Sequence, residues 1–391
     1  MTETLPIRVM HVIDDLVAGG AQQLLVELAQ HAHDRGICMD VVSIGSRRQE
    51  SLETALRNNS CDVRFLTPAG RRVLFDRSLP RRLSRMIVGS GTDVVHTHLE
   101  YSTILGVGAA RRAAVPCVVT LHNVLFDFGR GARAKEWAFD RALRHASFVV
   151  ACGDRVADAH AHRVGGTPMQ AVANPITSRA AAPDGARAAI RRELRIAQDA
   201  CVVTSVGRIT VLKGVHDLLT AFAQLDADAS GAHLVIVGSG PDEPDARKLA
   251  QTLGVEDRVR WLGHRNDVTS VLAASDVFAS ASHREGLPLA ALEAMDAGVA
   301  VVATDVGDVG ALLGDGRGVL VAPHAPAGFA VALEELLRDG HRRSQLGEAA
   351  QRHVRATHDP QRWADAHRQI YDRVAKPRTG EPTARQWSPS R

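Results

Sequence analysis

Lysine is scarce in this 391-residue chain: Lys135, Lys213, Lys248 and Lys376 are the only ones, and arginine supplies the rest of the basic residues. A lysine kept against that background needs a reason, and the question bears on Lys213 below. Aromatic residues make up 4% of the chain, too few to suggest platforms for stacking bases. The formal charge is +3, far from the electrostatic footprint of a nucleic-acid binder. No nucleic-acid partner is expected. The cysteines, Cys38, Cys61, Cys117, Cys152 and Cys201, are scattered, with no CxxC pair and no zinc-ligand spacing. Four of them lie in or beside apolar runs, as buried thiols would. No apolar run approaches the roughly 18 residues of a membrane span, and no signal segment is evident. The expected setting is cytoplasmic and reducing.

What is present is an ordinary globular balance, 45% hydrophobic and 23% charged, in a chain long enough for two domains. Short apolar runs alternate with segments of helical spacing from Ile7 onward. Ile7–Ile13, Cys38–Ile44, Asp62–Leu66, Asp93–His96, Pro116–Leu121 and Phe148–Ala151 read as strands. Helices are expected between most of them. The alternation predicts an α/β chain with a parallel sheet covered on both faces. Residues 174–198 break it with Asn174-Pro175 and an Ala/Arg/Pro/Gly-rich stretch, read as a connection carrying a short helix near Arg187–Leu194. A second alternating set runs from Cys201 to about 339, and a last helix spans about Pro360–Val374. Residues 376–391 are rich in Pro, Arg and Ser and are expected to be disordered.

In such sheets ligands gather at the carboxyl ends of the strands, so the post-strand residues carry the search. The densest stretch is Ser282–Gly298. Pro288 suits a first helical position and Gly298 a left-handed position past the end. Glu285 lies in the loop and Glu293 further into the helix. A helix N-terminus attracts anions through its unpaired N–H groups. Carboxylates beside such a site make sense when they face neutral hydroxyls, and a nucleotide sugar carries both diphosphate and hydroxyls. The plainer alternative is a capped helix with two incidental acids. Upstream, Gly207-Arg208 and Lys213-Gly214 follow a strand and precede a helix, so Arg208 and Lys213 would suit a diphosphate.

Weaker signals surround these. Gly19-Gly20 stands between a strand and a helix, the place of a phosphate-approaching turn. Gly238 opens another post-strand turn. The backbone at His264 and Arg265 could face a base. His122 follows an apolar strand directly. His96-Thr97-His98 invites a metal reading, but no carboxylate or cysteine lies nearby in sequence to complete a set. Asp226-Ala227-Asp228 matches a cation-holding Asp-x-Asp, yet it follows a helix and reads as a solvated loop. Arg71, Arg72, Arg77, Arg81, Arg82 and Arg85 accompany Leu79, Leu83 and Met86. This makes residues 71–86 a candidate peripheral membrane contact, against the plainer reading of a solvated basic face.

Taken together, Gly207-Arg208-x4-Lys213-Gly214 and Arg284-Glu285-Gly-Leu-Pro-Leu-Ala-x-Leu-Glu293-Ala-Met resemble the retaining glycosyltransferases of the GT-B fold, family 4. The resemblance runs from Gly19-Gly20 to the last helix. It implies two Rossmann-like domains facing across a cleft. The first would span residues 1–178 and be completed by the helix at 360–375; the second, at 198–357, would bind a nucleotide sugar. It further implies that Arg208 and Lys213 hold the diphosphate, that Glu293 holds the ribose and that Glu285 contacts the transferred sugar. Backbone at Gly286, Leu287 and Leu289 would cradle sugar and phosphate. Gly20, with Gly19, would approach from the first domain, and His122 would lie by the reacting sugar. The sequence departs from the family where Gln22 replaces a common acid. It departs again where Asp308-Val309-Gly310-Ala311 replaces the usual Gly-x-Pro-Glu.

The expected activity is transfer of a hexose-type sugar from a UDP- or GDP-linked donor to an acceptor hydroxyl, on a glycan, a lipid-linked molecule or a small molecule. The anomeric configuration would be retained, with no metal or other cofactor. Three alternatives stand beside it: an inactive nucleotide-sugar sensor or scaffold, a nucleotide-sugar epimerase and a phosphorylase. No acid/base pair for the epimerase and no pyridoxal-phosphate lysine for the phosphorylase can be picked out.

Overall fold

The computed structural model describes residues 6–68, 76, 78–124, 132–177, 182–225 and 231–376. The chain divides into two compact units. The first takes Met1–Ala173 and resumes at Pro360; the second is Asn174–Asp359.

The first unit is built on a seven-stranded sheet: β1 (Ile7–Ile13), β2 (Ile37–Ser43), β3 (Asp62–Phe65), β4 (Val94–His98), β5 (Cys117–Leu121), β6 (Phe148–Ala151) and β7 (Met169–Ala171). The order is β3-β2-β1-β4-β5-β6-β7 and every neighbouring pair is parallel. The inner strands are mostly apolar and rich in Val, as expected where helices bury both faces. The order reverses between β1 and β4, a topological switch point of the kind where such sheets bind ligands. The helix Pro360–Val374 belongs to this unit. Arg35 anchors it through Asp365 at 2.7 Å, and Trp363, Ile370 and Tyr371 are buried.

The second unit carries β8 (Val202–Val206), β9 (His233–Val237), β10 (Val259–Gly263), β11 (Val277–Ser280), β12 (Ala300–Thr304) and β13 (Val319–Val321). Their order is β10-β9-β8-β11-β12-β13, again all parallel, with the switch point between β8 and β11. Both sheets therefore have the doubly wound plan expected from the alternation of strands and helices.

The stretch 174–198 does more than connect. Its helix, Ala186–Glu193, packs into the second unit through Arg191, which is fully buried. That guanidinium donates to the carbonyls of Ala274, Ala197, Gln198 and Ala200 and meets Asp276 Oδ2 at 2.7 Å. Arg187 binds the other oxygen of Asp276 at 2.8 Å. A buried ion pair that loses one partner leaves an uncompensated charge, at a cost of about 3–5 kcal/mol. Arg191→Met is thus expected to lower the unfolding free energy of the second unit by no more than about 3–5 kcal/mol, since Arg187 still meets Asp276, and an unchanged urea midpoint would contradict this account.

The helix Leu79–Gly89 turns Leu79, Leu83 and Ile87 into the core and leaves Arg81 and Arg85 outward. Its apolar side, which the membrane reading needed, is thus largely spent on packing. Arg71, Arg72 and Arg77, the Asp226–Asp228 pair and residues 377–391 of the expected tail lie outside the described residues. Among the described residues, no helix is long and apolar enough to cross a membrane.

Candidate active site

The carboxyl edge of the second unit is shaped by two loops that meet. After β8 the chain runs through Gly207 and Arg208 into a short 3-10 turn, Val211–Lys213, and then the helix Val215–Ala223. After β11 it runs through Ser282–Pro288 into the helix Leu289–Asp296. The backbone N–H of His283 donates to Leu212 O at 2.8 Å and stitches the loops together. Gly214 makes this approach tolerable. Its φ is +66°, and a Cβ there would stand 1.8 Å from Ala281 O.

This contact brings together two residues 72 positions apart: Lys213 Nζ donates to Glu285 Oε1 at 2.7 Å. Glu285 is only 6% exposed, while the lysine side chain remains 39% exposed. The acid is thus held inside, with its cation at the rim. Arg208 is exposed beside it in sequence. Gly286 and Leu287 are buried in the turn, and Leu289 opens the helix. Pro288 is the N-cap in extended conformation at φ −74° and ψ 121°, so the helix starts at Leu289, one residue later than expected. The ψ value is the reason: the helix can begin only once ψ turns helical, at Leu289. Glu293 consequently sits just over one turn in, closer to the N-terminus than its sequence spacing suggested. Gly298 does take the left-handed conformation past the end, at φ +72°.

Three residues that the sequence did not single out support this turn. Thr177 Oγ1 donates to Glu293 Oε1 at 2.9 Å. Asn174 Nδ2 donates to Leu287 O at 2.8 Å, and the Asn174 carbonyl accepts from His358 Nδ1 at 2.7 Å. The only sequence signal was Asn174-Pro175 itself, which read as a linker. The altered segment after β12 also packs here. Asp308 N donates to Gly286 O at 2.9 Å and opens the short helix Val309–Leu313. Gly307 lies so close that a Cβ would be 2.3 Å from Glu285 O. The turn is therefore built without the usual Gly-x-Pro-Glu.

The other residues of this unit lie further round the edge. Gly238 donates its N–H to Gly263 O at 2.7 Å, joining the ends of β9 and β10. His264 is exposed. The Arg265 guanidinium is committed to Asp267 at 2.7 Å and Glu193 at 2.5 Å, which raises its pKa further. Its side chain thus anchors the helix Ala186–Glu193, and only its backbone remains for the role expected from sequence.

In the first unit the switch point is lined by histidines. His11 on β1 and His96 and His98 on β4 are 0%, 0% and 5% exposed. His98 Nε2 lies 3.0 Å from His11 Nδ1, and His98 Nδ1 lies 3.2 Å from His122 Nε2. His96 meets Tyr371 Oη and Thr120 Oγ1, each at 2.7 Å. Burial pushes these imidazoles toward the neutral form: His11 falls to about 3 and His122 to about 4, and in both the neighbouring His367, which would repel a second proton, acts in the same direction. A neutral imidazole has one N–H. The chain His11–His98–His122 therefore has two consistent settings. If His122 donates to His98, its Nδ1 is a lone pair; if it accepts, its Nδ1 carries the proton. What His122 can offer a ligand is thereby coupled to the setting of His98. Sequence placed His122 after a strand and noted His96-Thr97-His98, but could not show that β1 delivers His11 to them.

Gly19 and Gly20 are exposed at the start of the helix Gly20–Ala32. Gln22, which stands where an acid is usual, is buried and folds back to donate to Asp15 O at 3.0 Å. It holds the preceding loop.

Two doubly wound units in one chain, the second with the Lys213–Glu285 pair at its switch point, have the architecture of a GT-B fold, and the matches below make the chain a glycosyltransferase of that fold. Residues 186–353 match the model for glycosyl transferases group 1, and residues 18–178 that for glycosyltransferase family 4. The chain belongs to this glycosyltransferase family. It is 31% identical to a D-inositol 3-phosphate glycosyltransferase of Kineococcus radiotolerans, covering 93% of this chain and 92% of that protein. A D-inositol 3-phosphate glycosyltransferase of Geodermatophilus obscurus is 30% identical, with 87% and 81% covered. Among solved structures, Anabaena HepE in complex with UDP-glucose superposes with a TM-score of 0.81 at 21% identity, covering 94% of this chain and all of that one. Sucrose-phosphate synthase from Thermosynechococcus elongatus superposes at 0.78 and 19%, with 94% and 99% covered. At these identities the superpositions establish the fold.

Proposed function

We propose that this glycosyltransferase moves a hexose-type sugar from a nucleoside-diphosphate donor to an acceptor hydroxyl with retention at the anomeric carbon. The observation that carries the reading is the 2.7 Å pairing of Lys213 with the buried Glu285 at the β8/β11 edge. Lys213 and the exposed Arg208 meet the diphosphate, and the N–H groups of the 286–289 turn add their dipoles. As the bond to the anomeric carbon breaks, negative charge grows on the leaving diphosphate, and these groups stabilise it without a metal. Glu285 is released from Lys213 to accept from sugar hydroxyls, and Glu293, steadied by Thr177, accepts from the ribose. His122 is assigned to the reacting sugar, and its tautomer is coupled to that of His98. The relatives named as inositol 3-phosphate glycosyltransferases make a phosphorylated polyol the first acceptor to try, and UDP-glucose in the HepE complex makes a UDP-sugar the first donor.

A panel of UDP- and GDP-sugars, incubated in EDTA with and without D-inositol 3-phosphate and other polyols, tests this reading. The expected result is acceptor-dependent release of nucleoside diphosphate with an α-linked product from an α-linked donor. Donor binding without turnover on any acceptor would favour the inactive sensor, and a β-linked product would overturn retention.

A further inference from the structure

A second cluster of ionisable side chains stands at the carboxyl edge of the second unit and has no task in the transfer reaction. Asp217 lies in the first turn of the helix Val215–Ala223, His283 follows β11, and His324 follows β13. Although they come from three separate segments, their ligand atoms lie within 4.8 Å of one another. His283 Nε2 is 2.9 Å from Asp217 Oδ2, and His324 Nδ1 is 3.9 Å from the same oxygen. The two imidazole rings lie with centroids 3.9 Å apart, tilted by 42°.

We propose that Asp217, His283 and His324 form a binding site for one divalent transition-metal ion of the zinc class. The donor set is two imidazole nitrogens and one carboxylate oxygen, which suits a borderline first-row ion and leaves positions open for water. With metal–ligand bonds of about 2.0–2.1 Å, ligand atoms in a tetrahedral site stand about 3.3 Å apart. The observed 2.9 and 3.9 Å straddle that spacing. His324 is the ligand that must move, and with a side chain 66% exposed it has room. The Asp217–His283 hydrogen bond alone would explain those two residues. It does not explain why His324 joins them from a backbone at φ +58°, a conformation that non-glycine residues adopt at a cost. A metal bond would offset that cost.

Among the described residues, the buried histidines His11, His96 and His98 form the other cluster close enough to hold an ion. Their nitrogens are largely committed to hydrogen bonds, with His96 held at both and His98 at both. An ion there would have to break that chain, whereas at Asp217 it replaces a single contact. The two sites give separable results.

An ion at Asp217 would join the helix behind Lys213 to the loop that carries Glu285, since His283 is two residues from Glu285 and Asp217 four from Lys213. The assignment does not depend on the donor reading and is tested without turnover. Untagged, EDTA-stripped protein is titrated with ZnCl2 by calorimetry and with Co2+ by visible absorption. The expected result is one ion per chain at micromolar affinity, with a rise in Tm. His283→Ala and His324→Asn should each weaken binding at least about tenfold, the scale of losing a supporting group at a metal site. Asparagine tolerates the left-handed backbone, so the second variant keeps the fold, and far-UV circular dichroism checks both. No Zn2+ binding below about 100 µM overturns the proposal. So does full-strength binding in both variants, which would put the ion at the histidines of the first unit or elsewhere.

Discussion

Lys213→Ala should lower kcat for sugar transfer by about 10²–10³, the range seen when one group that stabilises developing charge is removed. The loss should fall mainly on kcat and less on KM, because the charge on the departing diphosphate is largest in the transition state. The ion pair lets a second variant separate chemistry from structure. With Lys213 gone, Glu285 is left 6% exposed without the cation that meets it at 2.7 Å. Some of the effect of Lys213→Ala will therefore be destabilisation of the 282–288 turn. Adding Glu285→Gln removes the stranded charge. The double variant should regain melting temperature but not activity. Lys213→Arg keeps a cation but changes its reach and geometry, and it should fall between wild type and alanine. Wild-type kcat in Lys213→Ala would remove the lysine from the reaction, whatever the crossing of the loops suggests.

The parallel sheets and the edges that matter were readable because most of the strands are compact apolar runs rich in Val and Ile, and several end in Gly, His or a charge. The second-unit site was readable because both of its loops carry dense local signals, Gly207–Gly214 and Glu285–Gly298. What stayed hidden was of two kinds. Elements with little apolar periodicity escaped: the helix Gly340–Thr357 buries only Gly347, Ala350 and Val354 along 18 residues, and the helix Asp154–Val164 buries Val156, His160 and Val164 among charged neighbours. The edge strand Met169–Ala171 is three residues long and half exposed. The other hidden kind is pairing across the sequence. Lys213 with Glu285, Thr177 with Glu293 and His11 with His98 depend on which strands lie side by side, and no spacing along the chain encodes that. The departure at Asp308–Ala311 shows the converse. It looked disruptive, yet Asp308 still reaches Gly286 O through its backbone, which any residue there could do.

The first unit should lose stability steeply in mild acid. His11, His96, His98 and His367 are 5% exposed or less. Burial is the largest cause that lowers each of their pKa values; His11 reaches about 3 and His367 about 4. In the unfolded chain each titrates near 6.5. Between pH 6.5 and about 4 the unfolded state therefore binds protons that the folded state refuses, and stability must fall as pH falls. Above pH 6.5 both states are neutral and the term vanishes. Each such histidine contributes a slope of about 1.4 kcal/mol per pH unit within the window. Four together could consume most of the roughly 5–15 kcal/mol that holds an ordinary domain before pH 5 is reached. His122 and His160, also lowered, add in the same direction. Asp14 and Asp40 act oppositely, since burial raises their carboxyls, but their gain comes only as pH approaches the carboxylate range. Urea unfolding, followed by the fluorescence of Trp137 and Trp363 at pH 7.5, 6.5, 5.5 and 5.0, reads this directly. Calorimetry at pH 5.5 in two buffers of different ionisation heat should find several protons taken up on unfolding. His11→Leu, which removes an imidazole whose Nε2 is buried without a hydrogen-bond partner, should flatten the slope by about one proton. A flat profile from pH 7.5 to 5.0 would mean that the histidines are already charged in the folded unit, and the neutral chain to His122 would then not exist.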